Sequence, residues 1–217
     1  MACCTLEGTD KMFSRQSRYF AKKFRRKGLD RAQRCIVEEI EKIGIKGRSV
    51  LEIGCGVGGL HLTLLKKGAS SAFGVEASGG MIAKATELAA ELGVSARVAY
   101  LQGDFASLNG EVPSADIVVL DKVLCCYPDP ESLIVRSVAK ARTAYVVSYP
   151  RDALLARIGF TSMEKLGILL RWSFHPFYHE PSELERLVQQ QGMKAVASQT
   201  SPIWQVSIFR REEKIEG

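Results

Sequence analysis

At 217 residues the chain is long enough for one domain with a sizeable core. Its apolar content is ordinary, no stretch reaches the roughly 18 uninterrupted apolar residues of a membrane span, and no signal-peptide pattern opens it. None of the six cysteines (Cys3, Cys4, Cys35, Cys55, Cys125, Cys126) forms a Cys-x-x-Cys pair, which argues against a zinc ribbon or redox motif and for a reduced, cytoplasmic protein.

The net charge of +6 is unevenly spread: residues 1–34 hold ten Lys or Arg against Glu7, Asp10 and Asp30. Phe13, Phe20 and Phe24 fall near one stripe of the same arm, so an amphipathic helix is expected. Three uses of residues 11–34 stay open: a cap over a cleft, a contact with an anionic ligand or membrane surface, or, least favoured, nucleic acid. The arm, 1–34, is set apart from a main domain over 35–217. In that domain Ile36, Val37, Ile40 and Ile43 share a helical face, and Gly44 and Gly47 lead into a first strand.

That strand runs into a glycine-rich turn, Val50-Leu51-Glu52-Ile53-Gly54-Cys55-Gly56-Val57-Gly58-Gly59. Gly54, Gly56 and Gly58 allow a sharp turn and a close approach of backbone to ligand. Leu60, Leu64 and Leu65 share one face of a helix expected from about Gly58 to Gly68. A second strand ends at Glu76, where an acid can accept from both hydroxyls of a ribose, and a third is followed by Gly103 and Asp104. Gly54-x-Gly56-x-x-Gly59 also fits a dinucleotide fingerprint, so an NAD-dependent oxidoreductase is the competing enzyme reading. Glu52 weighs against it, because a pyrophosphate would meet its negative charge while a sulfonium and an amino group would not.

Val50–Gly59, Glu76, Gly103-Asp104 and Ala115–Leu120 resemble the ordered motifs of class I S-adenosylmethionine-dependent methyltransferases. The resemblance spans roughly residues 35–210. It implies a Rossmann-like three-layer α/β sandwich with a mostly parallel seven-stranded sheet and an antiparallel C-terminal hairpin. It also implies S-adenosylmethionine as cofactor, held by Glu52, Gly54, Cys55, Gly56, Gly58, Glu76, Ala77, Gly103, Asp104, Phe105 and Asp121. In that scheme the glycines wrap the methionine portion, Glu52 orients its amino end, Glu76 holds the ribose, and Asp104 and Phe105 bracket the adenine. A fainter similarity, outside these motifs, is to magnesium-protoporphyrin methyltransferases.

Met81, Ile82, Ala85, Leu88, Ala89 and Leu92 mark the next helix, and Asp116–Leu120 and Tyr145–Tyr149 read as buried strands. The stretch Leu120-Asp121-Lys122-Val123-Leu124-Cys125-Cys126-Tyr127-Pro128 lacks the motif of amino-group methyltransferases, and its adjacent cysteines read as small buried apolar residues. Apolar residues then crowd 151–180, among them Leu154, Leu155, Ile158, Phe160, Met163, Leu166, Ile168, Leu169, Leu170, Trp172 and Phe174. They form either a helical lid lining an apolar acceptor or an ordinary helix core. Candidate bases are His61, Tyr149, His175, Tyr178 and His179, of which His179 is preferred because Phe177–Pro181 leads toward the cleft. Ser182 with Glu185 reads as a capping box just beyond it. Ala195–Gln199 and Trp204–Phe209, with a short link, read as the hairpin. The expected activity is methyl transfer to a small, apolar or aromatic acceptor, on oxygen, with nucleic acid a disfavoured partner and oligomeric state open.

Overall fold

The computed structural model describes residues 6–108, 110–170 and 174–212, so Cys3, Cys4 and Trp172 lie outside the described residues, as does the side chain of Leu155. Two helices, α1 (Leu6–Lys27) and α2 (Arg31–Ile43), precede the first strand. Then follow β1 (Ser49–Ile53), α3 (Gly59–Lys66), β2 (Ser71–Glu76), α4 (Gly79–Glu91) and β3 (Val98–Gln102). The second half holds β4 (Ala115–Asp121), α5 (Pro130–Val138), β5 (Ala141–Pro150), α6 (Leu154–Leu169), α7 (Pro181–Gln190), β6 (Met193–Thr200) and β7 (Trp204–Arg211).

The strands form one sheet in the order β3-β2-β1-β4-β5-β7-β6, with β7 antiparallel to both neighbours and every other pairing parallel. Successive strand residues feed opposite faces: Ile117 and Val119 join Ile36, Ile40, Leu62 and Leu64, while Val118 and Leu120 join Leu133, Ile134, Leu184 and Val188. Burial on both faces explains why these strands read as continuous apolar runs. Strand order reverses between β1 and β4, and at such a switch point the carboxyl ends of the strands open a crevice. Glu52, Glu76 and Asp121 therefore stand at one rim of the sheet.

Two local expectations fail. Residue 34 lies inside α2, whose N-cap is Asp30 in a capping box with Gln33, so the arm changes element near Gly28 and not at 34. The α7 helix starts at Pro181 with no side-chain cap. The carboxylate of Glu185 is taken up elsewhere, accepting from the hydroxyls of Tyr149 (2.6 Å) and Ser207 (2.9 Å). Buried hydroxyls need an acceptor, and that need outweighs a cap on a helix already started by proline.

Candidate active site

The turn after β1 is fixed by backbone geometry. Gly54, Gly56 and Gly58 all have left-handed φ (67°, 53° and 79°), and the amides of Gly54 and Cys55 both donate to the Val75 carbonyl. A Cβ on Gly54 would stand 2.5 Å from a methyl of Val123, whereas one on Gly56 would meet nothing within 4 Å. Gly56 thus opens onto empty space, a cavity of about 550 Å³ at the carboxyl ends of the strands.

Glu76 anchors that turn. Its Oε2 accepts from the Gly56 amide (2.8 Å) and its Oε1 from the Ser78 amide (3.0 Å). Burial still raises its carboxyl above the ordinary value, since these two bonds only partly replace water. Glu52 is buried alongside, accepting from His61 through the ring Nδ1 (2.6 Å) and the amide (3.2 Å). Burial raises its carboxyl too; the His61 contacts pull the other way and the nearby Asp121 adds to the rise. The far ring nitrogen of His61 lies 3.1 Å from the Tyr100 hydroxyl. His61, fully buried, is therefore a strut behind Glu52. Cys55 is buried beside both acids, and desolvation pushes its thiol well up, which makes it an inert wall residue.

Asp104, expected beside an adenine, already holds several protein donors. It accepts from the Tyr127 hydroxyl (2.5 Å), the Ala106 amide (3.1 Å) and the Ser107 hydroxyl (2.9 Å). A carboxylate has about four acceptor sites, so roughly one is left for a ligand. Asp121 is likewise held, by Gln33 (3.0 Å), Ser148 (2.6 Å) and Lys122 (3.3 Å). Lys122 also pairs with Asp30 at 2.6 Å and lies 5.5 Å over the Trp204 ring. It is the sole non-glycine with left-handed φ (61°) among the described residues. Strain of that kind at a cavity wall marks a position over-determined by its surroundings. Asp30 has a lowered carboxyl because Lys122 and the Gln33 amide outweigh its partial burial.

Helix α1 covers the cavity, its Phe13, Phe20 and Phe24 forming part of the lining. It is latched to the N-terminus of α4: the Gly79 amide donates to Asp10 (3.0 Å), the Gly80 amide to Ser14 (3.0 Å), and the Ser14 and Ser78 hydroxyls meet at 2.8 Å.

Of the residues expected at the cofactor, Glu52, Gly54, Cys55, Gly56, Glu76, Ala77, Gly103, Asp104, Phe105 and Asp121 all line this one cavity. Gly58 stands behind them, packed on His61 so closely that a Cβ would come within 2.9 Å of its ring. His179 does not line the cavity: its Nε2 is bonded to the Tyr127 carbonyl at 2.8 Å, tying the loop before α7 to the loop after β4. None of the other candidate bases lines it directly either; His61 supports Glu52, and the Tyr149 hydroxyl donates to Glu185. Among the described residues of 151–180 only Phe174 lines the cavity, with its ring 5.5 Å from that of Phe13, and no described side chain of α6 does. Sequence reasoning missed Gln33, Lys122 and Tyr127. The Asp-x-x-Gln capping signature of Asp30–Gln33 was a usable signal for the first; nothing local marks the left-handed Lys122.

Residues 50–142 match the family described as methyltransferase domain. The ubiquinone biosynthesis O-methyltransferase of Pseudomonas fluorescens (strain SBW25) is 30% identical over 162 residues, covering 70% of this chain and 67% of that protein. Among solved structures, magnesium protoporphyrin IX methyltransferase from Synechocystis PCC 6803 with bound SAH superposes with a TM-score of 0.72 at 20% identity, over 93% of this chain and 99% of that one. An O-methyltransferase family protein from Burkholderia thailandensis gives 0.71 at 14% identity, over 94% and 62%. At these identities the solved structures establish the fold.

Proposed function

Because this chain belongs to the class I S-adenosylmethionine-dependent methyltransferases, we propose that it methylates a small apolar or aromatic acceptor on oxygen. The observation that carries the acceptor's class is the set of apolar side chains, Leu6, Phe13, Val123 and Phe174, that line the cavity together with Tyr127. A mostly apolar wall with few polar groups selects an apolar ligand and orients it by those few. The choice of oxygen is supported by the Pseudomonas relative, which is named as an O-methyltransferase.

The residues present fit the cofactor. S-adenosylmethionine, when bound, supplies a methyl group on a sulfonium that already carries its leaving group. Gly56 leaves open space where a side chain would intrude, and Glu76 offers lone pairs to ribose hydroxyls without releasing the turn. Glu52 and Asp121, on neighbouring strands, favour a cationic amino end, with His61 fixing the first and Gln33 and Ser148 the second. Phe105 and the last acceptor site of Asp104 would hold the adenine, with Ala77 and Gly103 lining the same cavity.

The protein's further contribution is alignment, which in well-oriented reactions is worth roughly 7–11 kcal/mol. Among the described residues no histidine lines the cavity, and the carboxyl of Asp30 at its rim is lowered, making it a weak base. An acceptor that is already acidic, an aromatic carboxylate or an acidic phenol, needs no base at all. The test is transfer of radiolabelled methyl to matched aromatic carboxylates, phenols, amines and thiols, and to polar sugars. Labelling of the first two is expected; labelling confined to nitrogen or sulfur would overturn the oxygen assignment, and labelling of polar sugars alone would overturn the apolar one.

A further inference from the structure

The outer face of α1 carries Lys11, Arg15, Arg18, Lys22 and Arg26, spaced by three or four residues so that they form one stripe. All five are exposed, and none forms an ion pair among the described residues, unlike Arg25 with Glu91. The inner face, with Phe13, Phe20 and Phe24, is the cap over the cavity. Helix α6 presents the opposite character. One side faces the body, where Phe160 meets Trp204 edge-on at 6.0 Å and Gly167 abuts His175. On the other side Leu154, Ile158, Ile168 and Leu169 are 72, 53, 60 and 78% exposed, within about 100° of one another around the helix. The charges near them are Arg157, Glu164 and Lys165, cationic on balance. The Phe13–Phe174 contact joins α1 to the segment after α6, at the apolar end of the cavity.

We propose that the outer faces of α1 and α6 dock this protein on an anionic lipid surface, beside the cavity that takes the acceptor. Exposed cations on one helix and exposed aliphatic side chains on another together match anionic headgroups over acyl chains. Nucleic acid would use the cations and leave four large aliphatic side chains facing water. A neutral protein groove would use the aliphatic face and leave the cations idle. The docking rests on the proposed function only for its purpose, which is to collect an apolar acceptor where such molecules concentrate.

The experiment is flotation of the full chain with vesicles of phosphatidylcholine alone or with about 30% phosphatidylglycerol, at low and high salt. Anionic vesicles should bind at least about tenfold more tightly, and the preference should fade with salt. Combined Lys11→Glu, Arg15→Glu and Arg18→Glu should abolish the preference, and Ile158→Asp with Leu169→Asp should weaken binding about tenfold or more. Both variants should retain wild-type affinity for S-adenosylhomocysteine, which reports that they are folded. Absence of vesicle binding at low salt, or binding untouched by either variant, would overturn the proposal. So would single-stranded RNA bound more tightly than anionic vesicles and unaffected by Ile158→Asp with Leu169→Asp. Loss of S-adenosylhomocysteine binding by the wild type would be a separate failure, that of the methyltransferase reading.

Discussion

One wall of the cavity comes from three strand ends and turns within 52–106 (52–59, 75–81 and 103–106), and the other from more distant pieces: α1, the Gly28–Gln33 turn, the Asp121–Ser132 segment and Phe174. The first is built largely from backbone, with glycines at left-handed φ, amides bonded to Val75 and a buried acid gripping the turn. The second is held by side chains, through Lys122 to Asp30, Gln33 to Asp121, Tyr127 to Asp104 and Phe13 to Phe174. A backbone-built wall suits a constant ligand, because few substitutions can alter it without unfolding it. A wall of side chains can be rebuilt one residue at a time, which suits an acceptor that differs from enzyme to enzyme.

Changes in the two walls should therefore have different readouts. The largest effect is expected for Glu76→Ala, which removes hydrogen bonds to a charged acceptor at roughly 1.5–3 kcal/mol each and should weaken S-adenosylhomocysteine binding on the order of 100-fold or more by calorimetry. Wild-type affinity in that variant would end the ribose assignment. Lys122→Met should instead act on stability, since it strips Asp30 and Asp121 of a shared, mostly buried cation. A loss of about 1–3 kcal/mol in urea unfolding is expected, with less than about threefold change in cofactor affinity. Lys122→Gly should recover about 1 kcal/mol of that loss by relieving the left-handed backbone. If Lys122→Met abolished cofactor binding with stability intact, the division between the walls would be wrong.

The same division decides what could be read in the sequence. Glu52, Gly54, Gly56 and Glu76 were legible because each sits at a strand end or turn whose position follows from local pattern, and β4 and β5 because burial on both faces makes them continuous apolar runs. The short link, Thr200–Ile203, made the β6–β7 pairing legible as well. Lys122, Gln33 and Tyr127 were not, because their roles depend on contacts 23–92 positions away in the chain, which no window of sequence contains. The position of His179 was not legible for a related reason: its ring nitrogen bonds the carbonyl of Tyr127, 52 positions away in the chain. The choice between a lid and an ordinary helix core over 151–180 stayed open because apolar composition does not say which way a helix faces.

Tyr127→Phe bridges the two walls, since it removes the hydroxyl that fixes Asp104. Loss of one such bond is worth about 0.5–1.5 kcal/mol, so a roughly threefold to tenfold weaker S-adenosylhomocysteine affinity is expected. The pH dependence of the ligand-free protein separates the walls again. Glu52 and Glu76 have carboxyls raised above 4.5, so their contribution to stability is full below that value and is lost as pH rises through their folded pKa. Asp30 is lowered below 3.8, so its contribution is present above that value and is lost as pH falls through its folded pKa. The melting temperature should rise as pH is lowered from neutral toward 5 and fall again below about 4. Saturating S-adenosylhomocysteine should flatten the upper limb, because ribose hydroxyls on Glu76 favour its charged form. A melting temperature that rose steadily from pH 5 to 7 would show that the ionised acids are already satisfied without ligand.

The smallest effect is expected at His179. With its Nε2 committed to the Tyr127 carbonyl and its ring outside the cavity lining, it acts on the loop that carries Tyr127 and Asp129. His179→Asn should lower the melting temperature slightly and shift KM for the acceptor more than kcat. The pH profile of kcat should keep its shape, as expected of a ring that holds a loop and lies outside the cavity lining. Disappearance of a limb of the profile would place His179 in the chemistry, and would mean that the loop before α7 moves inward when both ligands are bound.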